Sequence, residues 1–109
     1  MIPHNINEHI NKLKDILQEL EGLGHNSKIY DLEYYFEQID SETRFFNPSE
    51  RDTFYEPYYR LRNKLQQMQI KIDEKKFISA FKTSKKALFN ATDNYINALQ
   101  DGIIKFHNN

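Results

Sequence analysis

Residues 73–106, DEKKFISAFKTSKKALFNATDNYINALQDGIIKF, decide the fold. The stretch has no proline and its only glycine is Gly102, so nothing local interrupts a helix over most of its length. Phe77, Phe81, Leu88 and Tyr95 fall on one helical stripe, with Ser84 and Ala91 between them. Ile78, Phe89, Ile96, Leu99, Ile103 and Phe106 fall on an adjacent stripe, so the apolar arc is wide. A helix with so wide an arc has neighbours on two sides. It is either central in a bundle or part of an interface with a second copy. The expected element runs over about 74–106 and is roughly 50 Å long at the rise of an α-helix.

The segments before it repeat the helical period. Phe54, Tyr58, Leu61, Leu65, Met68 and Ile72 alternate steps of four and three, which predicts a helix over 48–72. Asn47, Pro48 and Glu50 resemble a helix start, with a cap, a first-turn proline and a capping-box acid. Pro57 then either kinks this helix or marks its true first turn, leaving 47–56 as a separate turn. Between Ile72 and Phe77 the spacing breaks. A turn at 73–76 is expected there, with an uninterrupted helix as the alternative. Ile29, Leu32, Phe36 and Ile39 predict a helix over 28–39 capped by Ser27, and DSETRFFN, residues 40–47, reads as a loop. Ile6, Ile10, Leu13, Leu17 and Leu20 predict a helix over 5–21 that ends at Gly22 and Gly24. The fold class is therefore all-α: a bundle of about four helices in one domain spanning residues 1–109.

Composition agrees. Glycine and proline number three each among 109 residues, too few for the tight turns of a β-sandwich or barrel. Cysteine is absent, which excludes disulfides, thiolate metal sites and cysteine nucleophiles. The opening MIPHNINEHI lacks the basic and apolar regions of a signal peptide, and no apolar run is long enough to span a membrane. The expected compartment is the cytoplasm. Lys, Asn and Ile, whose codons are A/T-rich, are abundant, which fits a low-GC bacterium or one of its phages.

No catalytic motif is present: no glycine-rich phosphate loop, no nucleophile elbow. His4, His9, His25 and His107 form no helical metal pair and read as exposed terminal and turn residues. The expectation is a protein that is not an enzyme and holds neither cofactor nor metal.

Two features point to partners. Ten of the fifteen aromatic residues lie between Tyr30 and Tyr59. Tyr30, Tyr34, Tyr55 and Tyr59 fall off the buried stripes, and Phe45 and Phe46 fall in the expected loop. These rings either pack between the second and third helices or form a partner surface, a role tyrosine suits because it offers large area at low entropic cost. The candidate protein-binding residues are Tyr34, Tyr55, Tyr59, Phe45 and Phe46, with Glu33 and Glu37 to steer a basic partner. Charge is also segregated. Residues 1–56 hold five Lys/Arg and twelve Asp/Glu, whereas 57–109 hold ten and four. The two halves either neutralise each other across the bundle or expose a basic stripe. In the second case Lys75, Lys82, Lys85 and Lys86 are candidate phosphate-binding residues for nucleic acid or nucleotides. The leading functional expectation is a protein-binding module, such as an inhibitor, an immunity protein or a phage anti-defence factor. The alternatives are a nucleic-acid- or nucleotide-binding protein and a structural homo-oligomer subunit. The wide arc of the last helix suggests a homodimer.

Overall fold

The computed structural model describes residues 5–24, 27, 29–76 and 81–108, without the side chains of Ile29, His107 and Asn108. It contains four helices: α1 (Ile6–Glu21), α2 (Ile29–Phe45), α3 (Tyr55–Asp73) and α4 (Phe81–Asn108). No strand occurs among the described residues. The expected positions Phe77 and Ile78 lie outside the described residues, as do His4 and His25.

Three sets of contacts fix the topology. The Lys85 ammonium reaches the carbonyls of Glu21 and Leu23 at one end of α1, while His9 near its other end meets Tyr95. So α1 and α4 run antiparallel. His9 also meets Glu42, and Glu19 faces Tyr35, so α2 runs antiparallel to α1. Phe54 packs on Gly102, and Leu61 shares a cleft with Tyr95, so α3 runs antiparallel to α4. The result is an up-down-up-down bundle. α2 and α4 meet across one diagonal, while α1 and α3 sit at the other corners, with no close approach between their backbones among the described residues. The bundle measures 46 × 25 × 19 Å, its long axis matching a 28-residue helix at about 1.5 Å per residue.

The core is the set of stripes expected from the periodicity. Ile6, Ile10, Leu13, Leu17 and Leu20 of α1 meet Leu32, Phe36 and Ile39 of α2, Leu61, Leu65 and Met68 of α3, and Leu88, Tyr95, Ile96 and Leu99 of α4. Thr43 of α2 and Thr92 of α4 are also fully buried. Each returns its hydroxyl proton to the carbonyl four residues back, Ile39 at 3.0 Å and Leu88 at 2.9 Å, which removes the cost of burying it.

The boundaries differ from expectation in two places. α2 continues through residues 40–45, which the sequence suggested were loop. Thr43 extends its buried stripe, and tertiary contacts hold the added turn: Glu42 to His9, and Asp40 and Thr43 to Arg62. α3 starts at Tyr55 rather than 48, which is the alternative in which Pro57 marks the true first turn. Residues 49–55 form successive turns instead, through Asp52 N–H to the Ser49 carbonyl and Tyr55 N–H to that of Asp52. Pro57 sits in the first turn of α3, where a missing N–H costs nothing. α3 and α4 are separate helices. The Lys76 N–H returns to the Lys71 carbonyl and the Lys75 N–H to that of Ile72, with Lys75 at φ 62°. That is a Schellman stop, with lysine in the left-handed position that usually takes glycine.

Much of the α4 arc is covered inside the chain, with Phe89, Ile103 and Phe106 partly exposed. Ile96 and Leu99 are buried in the core, and Phe89 and Ile103 pack against it. The helix is wide-faced because it touches the other three. The arc therefore gives no argument for a homodimer.

Candidate functional site

α2 carries two faces of opposite character. Leu32, Phe36, Ile39 and Thr43 point inward. At 100° per residue, Tyr30, Tyr34, Glu37, Ser41 and Phe45 lie within a narrow arc on the opposite side. Tyr30, Tyr34 and Phe45 are among the large hydrophobic side chains exposed to solvent. They form a ridge along the whole helix, with Glu37 and Ser41 filling the gap between them.

Phe46, expected in the partner surface with its neighbour, belongs elsewhere. Phe45 is 88% exposed and Phe46 is 4% exposed. Phe45 is the last residue of α2 and keeps the helical direction outward. Phe46 lies just past the helix end and turns in, stacking on the His9 ring at 4.3 Å. Tyr55 is half-buried and stacks on the exposed Tyr59 with ring centres 6.0 Å apart. Tyr59 borders a polar cleft of about 320 Å³ between α2 and α3, lined also by Asp40, Arg44, Arg62 and Gln66. The Asp40–Arg62 contact sets the register of these helices and puts Tyr59 level with Thr43–Arg44. Tyr59 is therefore roughly 14 Å along the bundle from Tyr34. Glu33 and Glu37 flank Tyr34 and not Tyr59. The acidic aromatic residues are thus a ridge with a satellite, not one cluster.

The charge segregation of the sequence becomes a segregation of faces, because α1 and α2 share one side of the bundle and α3 and α4 the other. Arg62 and Asp40 join the sides directly, and both are only partly exposed. Arg62 also donates to Thr43. Lys12–Glu8, Arg44–Asp40 and Arg60–Glu56 are pairs within one helix, and Lys76–Glu74 lies in the turn after α3. Such exposed pairs contribute a few tenths of a kcal/mol each.

Of the candidate phosphate-binding lysines, Lys82, Lys85 and Lys86 line one hollow beside Glu21, and Lys75 lies apart at the end of α3. Lys85 is committed to the C-terminal end of α1, donating to the Glu21 and Leu23 carbonyls at 3.1 and 2.9 Å. It satisfies acceptors that the helix leaves open and complements the negative end of the dipole. Lys75 is held at the stop of α3 by its backbone. Lys82 and Lys86 are exposed and flank the hollow with Phe89 and Asn90.

One polar cluster escaped the sequence reading. His9 was expected at the surface, but it is 3% exposed. Its Nδ1 lies 3.1 Å from a Glu42 oxygen, and its Nε2 lies 2.8 Å from the Tyr95 hydroxyl. A signal was present: His9 sits three residues after Ile6 and four before Leu13, on the edge of the buried stripe. Burial pushes the His9 pKa below its ordinary value against the opposing pull of Glu42, and Lys12 adds to the lowering. Burial also raises the Tyr95 hydroxyl, with Tyr58 and Glu42 adding to it. A carboxylate, an imidazole and a hydroxyl in line resemble a proton relay. Here the hydroxyl belongs to a side chain that is 2% exposed and borders the cleft between α3 and α4. Among the described residues, no group of three His, Asp or Glu side chains is placed to hold a metal ion. None of the helices is long and apolar enough to cross a membrane among the residues described.

Comparison of the chain with protein-family models, with curated proteins and with solved structures gives no match, so its reading rests on its own residues.

Proposed function

We propose that this chain is a small, non-enzymatic protein-binding module that docks its partner along the outer face of α2. The observation that carries this reading is the ridge of Tyr30, Tyr34 and Phe45, turned away from the core and running the length of one helix. Leaving three large rings mostly in water costs solvation and contributes little to the bundle beyond the edge contact of Tyr34 with Tyr35, whereas a partner surface gains area from them. Asp31, Glu33 and Glu37 accompany the rings, so the fitting partner is a protein whose groove is apolar along its floor and basic along its rim. Tyr59 and the cleft beside Arg62 extend the contact at the C-terminal end of α2. A chain that acts by occupying a partner fits the role of an inhibitor, an immunity protein or a phage anti-defence factor.

The test begins with a partner captured from the native host by cross-linking through a photoreactive residue at Ser41, followed by calorimetric titration of the purified pair. Tyr34→Ala with Phe45→Ala is expected to weaken binding by about 1–4 kcal/mol while the far-ultraviolet circular dichroism stays unchanged. The contrasting variant, Lys82→Glu with Lys86→Glu, is expected to leave affinity intact. The reverse pattern would assign the interface to the basic side and sink the proposal.

A further inference from the structure

His9 joins three helices through one ring. It belongs to α1, its Nδ1 meets Glu42 of α2, its Nε2 meets Tyr95 of α4, and its face stacks on Phe46. The protonation pattern follows from what each partner offers. A carboxylate has no proton to give, so Nδ1 carries the ring hydrogen and donates to Glu42. The neutral ring then leaves Nε2 as an acceptor, and the Tyr95 hydroxyl donates to it. Every group is satisfied in this one arrangement.

Adding a proton breaks it. A protonated ring would donate from Nε2 as well, and the Tyr95 hydroxyl would have to turn its own proton away. No other acceptor bonds that hydroxyl among the described residues, and a stranded buried donor costs about 1–3 kcal/mol. The charged groups around the ring are few. Lys12 on α1 opposes a second positive charge, and Glu42 on α2 favours it. From α3 the group on that side is Tyr58, facing Tyr95, while Arg62 is engaged by Asp40 and Thr43. The π face of Phe46 favours the cation as well. Desolvation of a ring so deeply buried outweighs these contacts.

We propose that His9 is an acid-sensitive latch: neutral, it clamps α1 onto α2 and α4, and protonated, it releases α1. The sign follows from proton linkage. In the unfolded chain His9 titrates near 6.5 and in the folded chain below that, so between the two values the unfolded state binds more protons. The latch is fully closed above about pH 6.5, and its contribution is lost as pH falls from there through the folded value. Each unit of depression corresponds to a tenfold change in the unfolding constant.

The test uses the full chain. Long-range proton–nitrogen spectra of the folded protein follow the His9 ring, assigned by its loss in His9→Gln. The expected result is an Nδ1–H tautomer at pH 7.5 and a midpoint below 6.5; an Nε2–H tautomer, or a midpoint at or above 6.5, overturns the proposal. Urea unfolding at pH 7.5 and 5.5 then compares wild type with His9→Gln, which subtracts the other three histidines. The wild type is expected to lose more stability on acidification than the variant, and α1 amides are expected to lose hydrogen-exchange protection before those of α3. Parallel pH profiles would overturn the latch. Should His9→Gln fail to fold, Tyr95→Phe serves instead. It removes the hydroxyl that protonation strands, and the His9 midpoint is expected to rise; an unchanged midpoint counts against the proposal.

Discussion

Phe45 and Phe46 are the same residue at adjacent positions, and they belong to different regions of the molecule. Phe46 helps seal the core and stacks on His9, whose ring nitrogens meet Tyr95 and the partly exposed Glu42. Phe45 ends a ridge that faces only solvent. Aromatic content thus has no fixed meaning in a small bundle. A ring against the core contributes stability, and a ring on the far side of the same helix contributes only when a partner covers it. Substitution separates the two regions, because the sealed one answers in folding and the open one in binding.

The comparison breaks most severely at Ile96. This side chain is buried at the centre of the α4 arc, among residues of the other helices. Ile96→Glu places a carboxylate in the apolar core, and the loss is expected to exceed about 4 kcal/mol, a large part of the stability of a domain this size. Circular dichroism should show a protein unfolded or melting far below the wild type. A variant that stays helical and merely changes its sedimentation would mean that Ile96 faces a second copy.

Phe46→Ala removes a ring that fills the core and is expected to cost about 3–5 kcal/mol in urea unfolding. Phe45→Ala should shift stability by no more than about 0.5 kcal/mol. Equal losses would dissolve the distinction between sealed and open regions.

A smaller effect tests how tightly the sealed region is packed. Gly102 lies inside α4, where alanine would ordinarily add about 1 kcal/mol of helix stability. A Cβ there would come within 2.8 Å of the Phe54 ring, which is itself buried. Gly102→Ala is therefore expected to destabilise by about 1 kcal/mol net, since overpacking outweighs propensity. Combining it with Phe54→Leu should cost less than the two separate losses together. A Gly102→Ala protein more stable than wild type would show that Phe54 has room to move.

Local pattern determined much of this molecule. The four apolar stripes of helical period are where the sequence places them, because a row of side chains every three to four residues has to be buried by something. The scarcity of glycine and proline left few corners. The exposed positions of Tyr34 and Tyr59 were legible for the same reason, since they fall off those rows. What pattern leaves open is which neighbour covers a given face. Only the assembled bundle decided that much of the wide arc of α4 is covered by three helices of its own chain. Tertiary contacts also extended α2 past Ile39, because Glu42, Asp40 and Thr43 found partners on α1 and α3. Lys85 looked like a free cation until the end of α1 arrived beside it. His9 looked like a surface residue until Glu42 and Tyr95, 33 and 86 residues away in sequence, satisfied both its ring nitrogens. A helical period reports a face. The worth of a polar group on that face depends on partners that only folding brings within hydrogen-bond distance.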